Sequence, residues 1–164
     1  QAMSAAFGFI YVAVMLGFIY LIRTGKEGIT LVWLVFITSW VADTFAYFTG
    51  RFFGKRKMTP VLSPKKTVEG AIGGIAGSVI VGILFAVFVL KGHYVFRIAL
   101  ISAIGAVISI FGDLAASAVK RDRGIKDYGT LIPGHGGILD RFDSVIITAP
   151  IIYYLLKIGL VWHL

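Results

Sequence analysis

Five long runs of apolar residues dominate the pattern of hydrophobic and polar positions along the chain. The runs cover residues 2–22, 29–50, 70–90, 95–119 and 144–164, and each holds at most two Asp, Glu, Lys, Arg or His side chains. A transmembrane helix needs about 20 apolar residues, whereas the strands of a membrane barrel alternate apolar and polar positions. Because the runs are continuous, the pattern predicts an all-α integral membrane protein with about five transmembrane helices.

Composition supports this prediction. Hydrophobic residues make up 58% of the 164 residues and charged residues 15%, against about 25% charged in soluble domains. The absence of cysteine excludes disulfide scaffolds, thiolate zinc sites and cysteine nucleophiles. The first run lacks a basic start and an obvious cleavage site, so we interpret it as a span rather than a signal peptide. We expect residues 1–164 to form a single polytopic membrane domain.

Basic residues concentrate in two of the connections between the runs. Residues 51–66 carry six lysines and arginines and no acid, and residues 120–141 carry five more. Loops rich in lysine and arginine stay on the cytoplasmic side of a membrane, and two spans separate these loops. The pattern therefore predicts loops that both face the cytoplasm, with the N-terminus inside and the C-terminus outside.

Glycines recur at four-residue spacing at the start of the third run. Gly70 and Gly74 form one pair, and Gly73 and Gly77 form the other. Small residues at this spacing let two helix backbones approach closely in lipid. We predict close helix packing here, either within one subunit or in a homodimer.

Paired acids mark the second basic loop. Asp140 and Asp143 are three residues apart and so share one face of a helix. Two like charges on one face require a cation, and no basic side chain within that turn faces both. A hard divalent metal such as Mg²⁺, bound by carboxylate oxygens, meets that requirement. Asp113 adds a third carboxylate, so we predict that Asp113, Asp140 and Asp143 bind one or two metal ions.

The lysines and arginines around these acids predict a site that binds phosphates. In the first basic loop, Ser63, Lys65, Lys66 and Thr67 precede a predicted helix N-terminus, which favours anions. In the second loop, a glycine-rich turn around His135 leaves backbone N–H groups open to a close anion. We expect His135, beside the paired acids, to be functional.

The densest group of charged and small residues lies within residues 113–144. Its elements are Ser117, Lys120-Arg121, Lys126-Asp127, Pro133, His135-Gly136-Gly137 and Asp140-Arg141-Phe142-Asp143. With residues 40–47, 50–55 and 63–70 upstream, they resemble the signature and shared segments of the phosphatidate cytidylyltransferase family, also called CDP-diglyceride synthetase. Members of that family have further spans at the N-terminus. We therefore expect this chain to be the C-terminal, active-site half of a longer protein.

The resemblance implies an enzyme that transfers the cytidylyl group of CTP to phosphatidate, giving CDP-diacylglycerol and pyrophosphate. It implies dependence on Mg²⁺ and an active site at the cytoplasmic face of a bacterial-type inner membrane. The expected partners are CTP, phosphatidate and membrane lipids, with no nucleic acid. The expected catalytic residues are Asp113, Asp140, Asp143, Lys126 and His135. The expected substrate-binding residues are Asp43, Ser63, Lys65, Lys66, Thr67, Glu69, Lys120, Arg121, Asp127 and Arg141, in which Asp43, Glu69 and Asp127 orient the cations.

Two other functions stay open at the level of the sequence. A CTP-dependent lipid kinase, of the type that acts on polyprenols, would use similar acids and basic loops but would transfer the γ-phosphate. An ion transporter would line a path with Asp43 and Asp113. A transporter, however, has little use for a glycine-rich turn and two groups of cations in loops.

Overall fold

Long helices form most of the protein. The structure, a computed structural model, describes residues 6, 8–60, 62–125, 127–129 and 137–160. Its helices are α1 (Phe9–Thr24), α2 (Gly28–Phe53), α3 (Val68–Phe88), α4 (Val95–Asp122) and α5 (Leu139–Leu155), and a π-helical segment, Leu156–Leu160, continues α5. Two short strands, β1 (Lys57–Thr59) and β2 (Ser63–Thr67), lie between α2 and α3. The predicted helical membrane class is confirmed, and the hairpin is an addition that the sequence pattern did not predict.

Three of these helices, α2, α3 and α4, are long and apolar enough to cross a membrane. Helix α1 is apolar but shorter within the described residues. Helix α5 begins at Leu139, five residues before the predicted fifth run, and so takes in the paired acids. Each predicted run overlaps one helix, whereas five as the number of membrane crossings stays a prediction.

The helices pack mainly against their neighbours in the chain. Helix α3 lies against α2 and α4, α4 lies against α5, and α5 also contacts α1. Side chains from all five helices, among them Ile22, Leu34, Ile101 and Ile152, are fully buried in one apolar core. This up-and-down order brings the end of α2, the start of α3, the end of α4 and the start of α5 to the same end of the bundle.

The glycines of α3 provide close packing within one chain. A Cβ atom added at Gly74 would lie 2.7 Å from the carbonyl oxygen of Ala42, and one at Gly70 would lie 2.8 Å from that of Ala46. The other two glycines of the stripe meet side chains of the same helix, α2. The predicted close approach is confirmed, and it joins α3 to α2 within the subunit. The homodimer stays a prediction.

The first basic loop folds into an antiparallel hairpin. Lys57 of β1 pairs with Thr67 of β2. The Thr67 hydroxyl oxygen accepts the backbone N–H of Gly70 at 3.1 Å and so caps the start of α3. Successive side chains of a strand point to opposite sides, which separates Lys65 from Lys66. The hairpin therefore places Lys66 at the end of the bundle where α2 ends and α3 begins.

Substituting alanine for Gly74 should loosen the contact between α2 and α3. The added methyl group cannot fit against Ala42 without moving a backbone, so we expect the free energy of unfolding to fall by about 1–3 kcal/mol. The thermal unfolding midpoint of the protein in detergent measures this loss. Gly17→Ala in α1 is the matched control, since no atom lies within 4 Å of its added Cβ. Equal midpoints for the two variants would contradict the packing.

Candidate active site

Four elements bring charged side chains together at one end of the bundle. They are α2, β2, α4 and α5, which are distant in the sequence but adjacent in the fold. We call this group the acid–lysine cluster. It consists of Asp43, Lys66, Asp113, Lys120, Asp140 and Asp143.

One face of α4 supplies the first part of the cluster. Asp113, Ser117 and Lys120 follow one another at spacings of four and three residues, which places them on one side of a helix. The Ser117 hydroxyl donates to Asp113 Oδ1 at 3.4 Å. Asp113 Oδ2 forms an ion pair with Lys66 Nζ of the hairpin, and both side chains are 24% exposed. Both side chains of this pair are therefore only partly buried by the protein.

Lys120 provides the cation that the paired acids require. Its Nζ lies 3.0 Å from Asp140 Oδ1 and 3.5 Å from Asp143 Oδ2, and all three side chains are almost buried. The prediction that both carboxylates share a face is confirmed. The lysine comes from the neighbouring helix α4 and not from the turn that holds the two acids.

The second oxygen of Asp140 holds the segment that follows α4. Asp140 Oδ2 accepts the backbone N–H groups of Tyr128 at 2.8 Å and of Gly137 at 2.9 Å. Burial acts to raise the pKa of Asp140, but these two donors and Lys120 outweigh it and hold the pKa below its usual value. Asp140 is therefore an ionised group with both oxygens engaged by the protein.

Tyr128 covers the ammonium group of Lys120. The centre of its ring lies 5.2 Å from Lys120 Nζ, and its hydroxyl donates to the carbonyl oxygen of Ala116 at 3.2 Å. Burial raises the pKa of this hydroxyl above its usual value, which keeps it protonated as a donor. The aromatic ring and the two acids together enclose Lys120.

Asp43 joins α2 to α5. The Ser144 hydroxyl donates to Asp43 Oδ2 at 3.2 Å. The carboxylates of Asp113 and Asp143 are close enough to repel that of Asp43 electrostatically. A π-helical segment of α2, Ile37–Val41, ends two residues before Asp43, and such segments are frequent at functional sites. Asp43 is thus part of the same charged centre as the acids of α4 and α5.

The donor chemistry of the cluster fits Mg²⁺, which prefers carboxylate oxygens. Within the described part of the chain, no three His, Asp or Glu side chains are grouped closely enough to hold a metal by themselves. Mg²⁺ commonly uses one or two carboxylates and completes its shell with water and substrate phosphates. The assignment of Asp113, Asp140 and Asp143 as a ligand set stays a prediction.

Other residues predicted in the first basic loop shape the hairpin. Glu69 Oε2 accepts the backbone N–H groups of Lys55 at 3.0 Å and of Arg56 at 3.2 Å. These bonds fix the chain between α2 and β1. Ser63 and Lys65 lie on β2, where Lys65 is exposed. Lys66 is the lysine of this loop that forms an ion pair with an acid of the cluster, Asp113.

Three of the residues predicted in the second loop lie at the surface. Arg121 is exposed, and its guanidinium donates to the carbonyl oxygen of Ile125 at 3.1 Å. Asp127 and Arg141 are also exposed. The Arg141 backbone carbonyl accepts the indole N–H of Trp40 at 3.1 Å, which joins α2 to α5. The predicted residues that lie outside the described part of the chain are Lys126 and His135.

Several residues at the cluster were not predicted as site residues, among them Tyr11, Tyr128 and Ser144. Tyr11 of α1 is within electrostatic reach of Asp113 and Asp143. It lies in a charge-free run that indicates only a span. Ser144 directly follows Asp143, and this adjacency was the one available signal. The positions of all three depend on tertiary packing.

Known proteins place this chain in a family. It matches the model of the Cytidylyltransferase family over residues 1–159. It is 43% identical over 155 residues to a phosphatidate cytidylyltransferase of Staphylococcus saprophyticus, covering 94% of this chain and 60% of that protein. A phosphatidate cytidylyltransferase of Synechocystis is 45% identical over 127 residues, covering 77% of this chain and 43% of that protein.

A third relative, a phosphatidate cytidylyltransferase of Staphylococcus aureus, is 41% identical over 158 residues. The match covers 94% of this chain and 60% of that protein, so the chain spans at most about 60% of the length of these curated relatives. The family match, by contrast, extends over almost the whole chain and includes every residue of the acid–lysine cluster. The chain belongs to the cytidylyltransferase family.

Proposed function

We propose that this protein transfers the cytidylyl group of CTP to phosphatidate, forming CDP-diacylglycerol and releasing pyrophosphate. The observation that carries the proposal is the acid–lysine cluster, in which cations and carboxylates from four elements meet at one end of a membrane bundle. Phosphate chemistry uses this mixture of groups. The names of the relatives support the same reaction.

The position of the cluster suits a reaction between a soluble and a membrane-bound substrate. CTP is a water-soluble polyanion, and phosphatidate is a lipid with an anionic headgroup. The pair formed by Lys66 and Asp113 is partly exposed and lies beside helices of membrane-spanning length. The basic loops at this end favour the cytoplasmic side, and the bacterial relatives support a bacterial cytoplasmic membrane.

The proposed reaction is an in-line displacement at phosphorus. A phosphate oxygen of phosphatidate attacks the α-phosphorus of CTP and forms a new P–O bond. The bond from the α-phosphorus to the oxygen that bridges to the β-phosphorus breaks, and pyrophosphate leaves with the electron pair. The attacking oxygen is already ionised at neutral pH, so no general base is required. Catalysis then depends on alignment and on neutralisation of charge.

The lysines of the cluster would supply both the alignment of the substrates and the neutralisation of their charge. In this proposal Lys66 and Lys120 bind phosphate oxygens, while the aspartates around them set their positions. Lys66 lies on a hairpin strand and Lys120 on a helix, so the two ammonium groups come from different elements of the fold. The remaining substrate-binding assignments stay predictions: Ser63, Lys65, Thr67, Glu69, Arg121, Asp127 and Arg141.

We further propose that Mg²⁺ takes part, held by Asp113 and Asp143. When bound, it would neutralise nucleotide phosphates and stabilise the leaving group. Asp113 is the more accessible of the two, because its side chain is 24% exposed. Asp140 stays a predicted third ligand, although both its oxygens already accept hydrogen bonds within the protein.

CTP labelled separately at the α- and γ-phosphates tests the reaction. With phosphatidate in mixed micelles, we expect the α-label to enter the lipid fraction and the γ-label to appear in pyrophosphate. A γ-label in the lipid would indicate the alternative, a CTP-dependent lipid kinase. Ion flux in proteoliposomes without CTP, with no labelled lipid, would indicate a transporter.

The Lys66→Gln variant should lower kcat/KM about 10- to 100-fold, the usual loss when a hydrogen bond to a charged group is removed. Steady-state kinetics with CTP and phosphatidate measures this. Lys57→Gln is the matched control, because Lys57 is an exposed lysine of the same hairpin and faces no acid of the cluster. Equal activities for the two variants would remove Lys66 from the site.

Removal of divalent metal with EDTA should abolish activity, and Mg²⁺ should restore it. Asp113→Asn should raise the Mg²⁺ concentration for half-maximal activity about 10- to 100-fold. Manganese binding, followed by electron paramagnetic resonance, gives a second readout that does not depend on turnover. Asp122→Asn is the control, since Asp122 lies on the same helix with a side chain that is 78% exposed. Unchanged manganese affinity in Asp113→Asn would exclude Asp113 as a ligand.

A further inference from the structure

Tyr128 contacts three separate parts of the cluster. Its backbone N–H donates to Asp140 Oδ2 at 2.8 Å, its ring lies over Lys120 Nζ at 5.2 Å, and its hydroxyl donates to the Ala116 carbonyl at 3.2 Å. Ala116 lies one helical turn before Lys120 in α4. The tyrosine is therefore anchored on the helix that carries the lysine and on an acid that binds it.

The lysine needs such support. A lysine side chain has four rotatable bonds, and its ammonium group has no preferred fork geometry of the kind arginine has. Asp140 and Asp143 attract Lys120 Nζ but bind it at unequal distances, 3.0 and 3.5 Å. The face of an aromatic ring attracts an ammonium group and occupies space into which the chain could otherwise swing. The ring of Tyr128 lies on the side of Lys120 Nζ that the two aspartates leave open.

We infer that Tyr128 is a positioning residue that fixes Lys120 Nζ between Asp140 and Asp143. The catalytic part of this inference rests on the proposed function, in which Lys120 binds a phosphate oxygen. Tyr128 acts through Lys120 and needs no contact of its own with a substrate. Its side chain should therefore affect turnover more than the binding of substrates.

Steady-state kinetics of Tyr128→Ala and Tyr128→Phe tests the catalytic part. We expect Tyr128→Ala to lower kcat about 10-fold, with a smaller change in KM for CTP, because the ring is lost. Tyr128→Phe keeps the ring and loses one hydrogen bond, so its kcat should fall only about threefold. Tyr20→Ala, which removes a ring that is 69% exposed on α1, should leave kcat unchanged. A higher KM for CTP with an unchanged kcat in Tyr128→Ala would overturn the inference.

A double-mutant cycle separates positioning from general stability. If Tyr128 acts through Lys120, then Tyr128→Ala should cost little further activity in a Lys120→Gln background. Losses that multiply would show that the two residues act independently, and would overturn the inference.

Chemical labelling of lysines provides a readout that does not depend on the proposed reaction. Acetic anhydride followed by peptide mass spectrometry gives the acetylation rate of each lysine. Lys120 is 9% exposed, and we expect its rate to rise about 10-fold in Tyr128→Ala. The rate at the exposed Lys91 controls for the reagent, and an unchanged rate at Lys66, whose side chain is 24% exposed, shows that the variant is folded. An unchanged rate at Lys120 would overturn the inference, whereas inactivity of the wild type with CTP and phosphatidate would overturn only the proposed function.

Discussion

The charged end of the bundle depends on a lysine held between two aspartates in a nearly buried place. Lys120 comes from α4, while Asp140 and Asp143 come from the first turns of α5. Desolvated charges persist only when they are paired, and removal of one partner from such a group typically costs about 3–5 kcal/mol. The other oxygen of Asp140 accepts the backbone N–H groups of Tyr128, which follows α4, and of Gly137, which precedes α5.

Apolar packing holds the helices together along the bundle, and charge pairing joins them at one end. The glycines of α3 bring its backbone against α2, and a core of buried aliphatic side chains joins the other helices. These contacts are insensitive to the identity of any ligand. The pairs of Lys66 with Asp113 and of Ser144 with Asp43 then link the hairpin, α4, α2 and α5 at one end. The groups that would bind phosphate are thus fixed by a scaffold whose stability does not depend on them alone.

The sequence predicts the helices because membrane thickness sets the length of an apolar run. It also predicts that Asp140 and Asp143 share a face, since three-residue spacing determines this on any helix. Helical spacing cannot show which neighbouring helix supplies their cation. The sequence therefore predicts phosphate binding for Lys120 but not its ion pairs with Asp140 and Asp143. The hairpin was missed for a related reason, because β2 contains two adjacent lysines and a proline rather than alternating apolar residues. Tyr128 lies in a segment without periodicity and gives no signal at all.

The balance of charge in the cluster favours a divalent cation as part of the proposed reaction. Within the acid–lysine cluster, four aspartates face two lysines, a formal charge of −2 with every group ionised. A nucleoside triphosphate would add further negative charge, and its Coulomb repulsion from the aspartates is strong where water is scarce. One Mg²⁺ ion would offset the excess of the acids, and the two lysines, held in place by those acids, would bind phosphate oxygens. The acids would therefore serve to hold cations in the positions where phosphate charge develops, which is the role that a site without a general base requires.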